Sequence, residues 1–272
     1  MPAASEWTLL GKTCIVTGAN TGIGKETALE LARQGGKVIF ACRNMVAAEK
    51  AIESIQIELG FTEKMAEQKL IARYLDLSSL ESIKNFADDI IETEHELHLL
   101  VNNAGVLPPD QRTMNSDETF ELTFVTNHLG PFYLTHLLIP LLTKSAPSRI
   151  VNVSSVGYKL CKKVGGYNIE DPQYENDPSK YEPWMAYCQT KLANILTTQQ
   201  LANRLENSGI SVFSVHPGTV KTEIFRHRSI KFSIFCGPIV AIIGRTPKQG
   251  AKPVVNCCCN PEIESHSGSY FV

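Results

Sequence analysis

The sequence predicts an α/β fold, one doubly wound parallel sheet of about seven strands with helices on both faces. Three observations predict it. Residues 12–18 (KTCIVTG) are a short β-branched apolar run, which reads as a strand buried on both faces, and a glycine-rich turn follows at once. Further apolar runs alternate with helical stretches along the chain, as parallel strands joined by crossover helices require. The unusual polar clusters fall at the C-terminal ends of those runs, where such sheets hold ligands. A length of 272 residues suits a single large domain over 1–272, and no repeat or domain boundary interrupts it.

Composition excludes several classes of function. Hydrophobic residues make up 43% and charged residues 20%, as in ordinary soluble globular chains. A formal net charge of −2 gives no electrostatic reason to expect nucleic acid as a partner. Of the eight cysteines, Cys14 and Cys42 sit inside apolar runs, where thiols behave as small hydrophobes. The run Cys257, Cys258, Cys259 lacks a nearby His or second Cys pair to complete a metal site. Reduced thiols, no metal, and an intracellular location, cytoplasmic or peripheral to a membrane, are therefore expected. The first twelve residues show no signal-peptide pattern. No window reaches the ~18 apolar residues of a membrane span.

Taken in order, residues 17–24 (TGANTGIG) link the first strand to a helix running to about Gln34. Glycines at 18, 22 and 24 let the backbone turn tightly and approach a ligand without a Cβ in the way. A glycine turn between a strand and a helix N-terminus suits a pyrophosphate, held by free N–H groups and the helix dipole. The bland alternative is a tight turn and nothing more. Residues 37–42 (KVIFAC) form the second strand, with Arg43 just past its end. In this architecture that tip meets the adenosine ribose. No Asp or Glu occurs between Arg33 and Ala48, so a guanidinium there favours the 2′-phosphate of NADP(H) over NAD(H).

A helix over 45–59, a strand over 70–75 ending at Asp76, and a helix over 79–92 come next. The fourth strand, 97–101, leads into Asn102-Asn103-Ala104-Gly105. Residues 118–142 read as one long helix carrying Asn127 and His128, with Pro131 and Pro140 as kinks. The fifth strand, 149–154, runs into Ser155. Residues 156–186, rich in Gly, Pro, Asn and Asp, form a loop excursion of functional length. The sixth strand, 210–215, ends in His216-Pro217-Gly218, and 267–272 opens a seventh.

The stretch 186–195 (AYCQTKLANI) carries the chemistry. Tyr187 and Lys191, four residues apart, share one face of a helix. A phenol ionises near pH 10, and an ammonium one turn away favours the phenolate, bringing the phenol toward the working range of an acid or base. An amphipathic core Tyr and a solvated Lys are the alternative. The same spacing recurs at Tyr158 and Lys162.

With TGANTGIG, NNAG, Asn127, Ser154–Ser155 and YCQTK in this order, the chain resembles the short-chain dehydrogenase/reductase superfamily over nearly its whole length. It is most similar to the retinol dehydrogenase-like branch, through GANTGIGKET (18–27), Ala41-Cys42-Arg43, NHLG (127–130), AYCQTKLANIL (186–196) and HPGTV (216–220). The resemblance implies a Rossmann-type fold and a catalytic tetrad. In it Tyr187 is the general acid/base, Lys191 its electrostatic partner and ribose ligand, Ser155 the hydroxyl orienting the substrate carbonyl, and Asn127 the relay. It implies coenzyme contacts at Gly18, Asn20, Thr21, Gly22, Ile23, Gly24, Arg43, Asp76, Leu77, Asn103, Ala104, Gly105, Tyr187, Lys191, Pro217, Gly218, Val220 and Thr222. It also sets Asn102 under the coenzyme, while strand alternation turns Ser154 into the sheet. Gly157, Gly165 and Gly166 argue against a helix that would carry Tyr158 and Lys162.

The expected activity is reversible, NADP(H)-dependent interconversion of an alcohol and an aldehyde or ketone, with a lipophilic, retinoid-like substrate. A general carbonyl or steroid reductase and an idle NADP(H)-binding sensor or scaffold are the alternatives. Members of this branch begin with an apolar anchor and continue past the last strand; residues 1–12 carry no apolar run. Residues 221–246 are expected to form a flap over the pocket. Within it Arg226, Arg228 and Lys231 precede a run of Phe, Ile and Val, a basic edge that could rest on an anionic membrane surface. Homo-oligomerisation stays open.

Overall fold

The computed structural model describes residues 8–107, 110–163, 168–220 and 244–272. Seven strands form one parallel sheet in the order β3-β2-β1-β4-β5-β6-β7. These are β1 (Thr13–Thr17), β2 (Lys37–Cys42), β3 (Leu70–Tyr74), β4 (Leu99–Asn102), β5 (Ser148–Val153), β6 (Ile210–Val215) and β7 (Tyr270–Phe271). The chain builds outward from β1 to β3, then returns to place β4 on the other side of β1. That reversal opens a crevice at the strands' C-terminal ends, the usual ligand position in open α/β sheets. The β1 pairing aligns Thr17 with Ala41 and Val16 with Val101, which brings the expected turn, Arg43 and the NNAG segment to one rim.

Side chains alternate along the strands, and those of the inner strands bury on both faces, whereas the edge strands β3 and β7 are only partly covered. Cys14, Val16, Val38 and Phe40 join a core with Leu31, Ile55 and Val254. Ile15, Ile39 and Leu100 join a second with Ile83, Phe86, Leu134 and Leu138. Each such side chain, fully withdrawn from water, contributes about 2 kcal/mol. The first core lies under α1 (Gly22–Arg33), α2 (Met45–Leu59) and α9 (Pro247–Cys259), the second under α4 (Leu80–Thr93) and α6 (Gly130–Lys144).

Helix ends follow local chemistry. The side chains of Asn44 and Ser79 accept from Ala47 N–H and Ser82 N–H at the starts of α2 and α4. Gly60, at φ 64°, closes α2 in the left-handed region. Two helices were not anticipated: α3 (Glu63–Lys69) and α9. The first is seven residues long and buries only Ala66, too little for a periodic signal. The second contains Gly250 and Pro253, which read as breakers, yet a Thr246–Gln249 capping box with Pro247 in the first turn starts it.

The expected continuous helix over 118–142 is three pieces. Glu121 caps a short turn, α5 (Leu122–Phe124); a π-helical turn follows over Val125–Leu129; α6 then begins at Gly130. Pro131 sits in the first turn of α6, where its missing N–H costs nothing, and Pro140 lies inside it. A second expectation is corrected: α7 (Tyr158–Lys163) is helical. Its six residues fit between Gly157 and the glycines at 165 and 166, so the breakers flank a helix instead of preventing one. The 156–186 stretch thus contains α7, a short 3₁₀ turn (Pro178–Lys180) and the start of α8 (Pro183–Arg204). The expected flap over 221–246 lies outside the described residues except for Gly244–Thr246, as does Thr222. Among the described residues no helix is long and apolar enough to cross a membrane, and no cluster of His, Cys, Asp and Glu could hold a metal.

Candidate active site

The glycine turn after β1 is shaped by contacts that leave no room for side chains. Gly18 takes φ +65°, and a Cβ there would meet the Ala104 Cα and Cβ at 3.1 Å. A Cβ on Gly24 would fall 2.3 Å from the Gly18 carbonyl oxygen and 2.5 Å from Asn103 Nδ2. Thr17, which sequence reasoning missed, ties the two segments together. Its Oγ1 accepts from the N–H groups of Asn103 and Ala104, each at 3.0 Å, while its carbonyl accepts from Asn103 Nδ2 at 2.8 Å. A Thr directly before the first glycine was the available signal.

At the start of α1, Thr21 is in cap position but its side chain makes no capping bond, and no acidic residue occupies the first turn. The first N–H groups of α1 and its positive dipole end therefore stand open beside partly exposed Asn20 and Thr21, a fit for a phosphate anion. Ile23 and Val220 flank Gly250 of α9; a Cβ on that glycine would meet Val220 Cγ2 at 2.5 Å. Gly218, at φ +90°, lies under the Arg245 side chain, beside the Pro217 carbonyl.

The rim residues sort by environment. Arg43 is exposed just past β2. Lys37, at the opposite end of that strand, is engaged by Glu94 at 2.6 Å and so stands away from the crevice. Asp76 Oδ1 accepts from the Ser78 N–H and hydroxyl at 2.9 and 2.6 Å. Leu77 is buried, its carbonyl pressed against Gly130 at the start of α6. Asn102 differs from expectation. Its Nδ2 donates to Thr135 Oγ1 and Asn152 Oδ1, both at 2.9 Å, and Asn152 Nδ2 donates to Thr198 Oγ1 at 2.9 Å. This buried ladder braces β4 and β5 against α6 and α8, so the Asn102 side chain is structural, and Asn103 carries the contact with the glycine turn.

The four proposed chemical residues converge from three segments, with Tyr187 and Lys191 both on α8. Asn127 is presented by the π turn, a device that bulges one residue out of a helix. Its Oδ1 accepts from Val106 N–H at 2.8 Å and its Nδ2 donates to the Val106 carbonyl at 2.9 Å. Gly105 lies where a Cβ would meet Asn127 Oδ1 at 3.4 Å and Lys191 Nζ at 3.5 Å. Lys191 Nζ donates to the Val153 carbonyl at 3.0 Å and lies over the Tyr187 ring, 5.6 Å from its centre. Ser154 Oγ donates to the Lys191 carbonyl at 2.7 Å, fixing α8 against β5. Ser155, next in the chain, lies beside the Tyr187 phenol, where it opposes the upward pull of burial. Tyr158 instead stacks edge-on against Tyr270, 5.2 Å between centroids.

The electrostatics run opposite to expectation. Burial pushes the Tyr187 phenol up to about 12; Ser155 only partly opposes this, and nearby Cys188 adds to it. Burial also lowers Lys191 to about 8. Removal from water disfavours the charged form of both groups. The ammonium, engaged with a carbonyl beneath the ring, does not reverse this for the phenol. Of the pair, only Lys191 is brought toward neutral pH.

Comparisons with known proteins agree with this geometry. The short chain dehydrogenase family model matches residues 12–165, more than half of the chain. Human retinol dehydrogenase 13 is 44% identical over 271 residues, covering 98% of this chain and 78% of that protein. Human retinol dehydrogenase 11 is 44% identical over 264 residues, covering 97% and 77%. Among solved structures, a 7α-hydroxysteroid dehydrogenase complexed with NADH and 7-oxo glycochenodeoxycholic acid superposes with a TM-score of 0.74. It is 24% identical and covers 100% of this chain and 96% of that one, a likeness of fold. Sheet order, glycine turn and sequence identity converge, and the chain belongs to the short-chain dehydrogenase/reductase family of oxidoreductases, as a retinol dehydrogenase-like member.

Proposed function

We propose that residues 1–272 act as one catalytic unit that transfers hydride reversibly between NADP(H) and a lipophilic alcohol or carbonyl, with Tyr187 as acid and base. One observation carries the reading: Ser155 lies beside the Tyr187 phenol while the Lys191 ammonium lies over its ring, all at the C-terminal rim of the sheet. The open first turn of α1 fits the pyrophosphate, and exposed Arg43 fits a 2′-phosphate. The bound nicotinamide would supply and accept the hydride.

The chain's own residues then handle the proton. A phenol held near 12 stays protonated across the neutral range, so Tyr187 is poised to donate a proton to a carbonyl oxygen. As the carbonyl carbon gains hydride, the Tyr187 O–H bond breaks and the proton moves to the carbonyl oxygen. Ser155 donates to the same oxygen and stabilises its developing charge. The phenolate left behind is stabilised by the Lys191 ammonium and takes up a proton from solvent. Asn127 holds residues 105 and 106 in place beside Lys191. The substrate class follows from the retinol dehydrogenase names of the relatives.

The test is turnover of a panel of long-chain, conjugated and short aldehydes with NADPH and with NADH. Consumption of NADPH with lipophilic aldehydes is expected, and Tyr187→Phe should lower kcat about 10³-fold while leaving NADPH affinity within twofold, about as much as one general acid contributes. Full activity in Tyr187→Phe sinks the reading.

A further inference from the structure

Tyr187 has a neighbour on its own helix that the hydride-transfer reading leaves unused. Trp184 lies one turn earlier on α8, and its indole stacks on the Tyr187 ring with centroids 5.3 Å apart and planes 23° from parallel. Lys191, one turn later, holds its ammonium over the same ring. Side chains three and four residues apart share a helix face, so indole, phenol and ammonium follow one another along α8.

The two ends of this row differ in surroundings. The ammonium end is enclosed by the Val153 carbonyl, Gly105 and Asn127, the segments that close the coenzyme crevice. The indole end rests on a small apolar cluster of Leu107, Cys161, Tyr187 and Cys188, and Trp184 is only partly buried there. A carbonyl oxygen accepting from the Tyr187 hydroxyl sits about 2.7 Å from it. Carbon attached to that carbonyl and turned away from the Lys191 end has the indole as the aromatic surface on that side of α8.

We propose that Trp184 is a specificity-determining residue, its part-exposed indole forming the surface on which a flat, unsaturated skeleton conjugated to the reacting carbonyl stacks. The inference rests on the hydride-transfer reading and deepens it by naming the residue that selects among lipophilic carbonyls. An indole offers broad dispersion contact and a quadrupolar face, which favour a planar π-system over a flexible alkyl chain.

The chain has two tryptophans, Trp7 and Trp184, so Trp7→Phe leaves Trp184 as the sole tryptophan, excited selectively beyond the tyrosine absorption. In that protein, trans-cinnamaldehyde should quench the emission saturably, and n-nonanal should need about tenfold more to compete, the size of one aromatic stack. In Trp184→Leu the ratio of kcat/KM for cinnamaldehyde to that for nonanal should fall about tenfold, and Trp184→Phe should restore most of it. An unchanged ratio in Trp184→Leu overturns the proposal, as does an equal loss for both aldehydes accompanied by a lower Tm. Aldehyde reduction without saturable quenching also overturns it and leaves the hydride-transfer reading standing. Saturable quenching by cinnamaldehyde with no turnover of any aldehyde supports the stacking surface and defeats the hydride-transfer reading.

Discussion

Lys191 should destabilise the coenzyme-free protein at neutral pH, and replacing it with Met should show how much. Its ammonium is 3% exposed and ionises at about 8, against an ordinary value of 10.5. At about 1.4 kcal/mol per pH unit, that difference means the buried charge costs about 3 kcal/mol below pH 8. Met has a similar length and no charge to desolvate, but it forfeits the bond to the Val153 carbonyl, a loss of about 1 kcal/mol. The expected net gain for Lys191→Met at pH 7 is about 2 kcal/mol, or about 5 °C in Tm for a chain of this size. The sign changes with pH. Between about 8 and 10.5 the unfolded chain binds a proton that the folded one does not, so wild-type stability rises with pH through this window. By pH 10 the variant should have lost its lead and melt slightly below wild type, since only the missing hydrogen bond remains. Calorimetry of both coenzyme-free proteins from pH 6.5 to pH 10 measures this, with turnover assayed alongside and expected to collapse in the variant. A variant that melts below wild type at pH 7, or a Tm difference that is flat with pH, would refute the reasoning.

Other substitutions separate the roles of single groups. Ser155→Ala should lower kcat about 10²-fold with little change in coenzyme affinity, measured by steady-state kinetics and by NADPH titration. Tyr158→Phe keeps the edge-on stack against Tyr270 and should leave kcat within about twofold, the control for the choice of tyrosine. Arg43→Asp should weaken NADPH binding by about tenfold or more while sparing NADH, and equal losses for both would remove Arg43 from the 2′-phosphate. Gly24→Ala forces a methyl group to within 2.3 Å of the Gly18 carbonyl; coenzyme affinity in equilibrium titration and Tm should both fall, by about 2 kcal/mol in stability.

Several features were legible from residue order because they depend on neighbours in the chain. A β-branched apolar run can be buried on two sides wherever it lies, so β6 appears at Ile210–Val215, the span its pattern marks. Helix α2 likewise spans Met45–Leu59, bounded by a local cap and a glycine. The glycine turn, Arg43 past β2 and the Tyr187–Lys191 spacing were equally open to reading. Elements without a local signal were not. Helix α3 buries a single residue, α9 forms despite Gly250 and Pro253, and α7 fits between glycines that were taken to exclude it. The π turn that presents Asn127 depends on how α5 and α6 meet, and no residue pattern marks it.

The sequence by itself determined which strands form, which turn opens toward a dinucleotide and which pair of side chains shares a helix face. Tertiary structure alone decided the ionisation of that pair. Spacing brings a cation to a phenol, whereas desolvation depends on everything packed around both, from Trp184 on the same helix to Val153 on β5 and Gly105 in the loop after β4. Here burial outweighs the nearby charge, so the Tyr187 phenol is held protonated and Lys191 becomes the group that titrates close to neutrality.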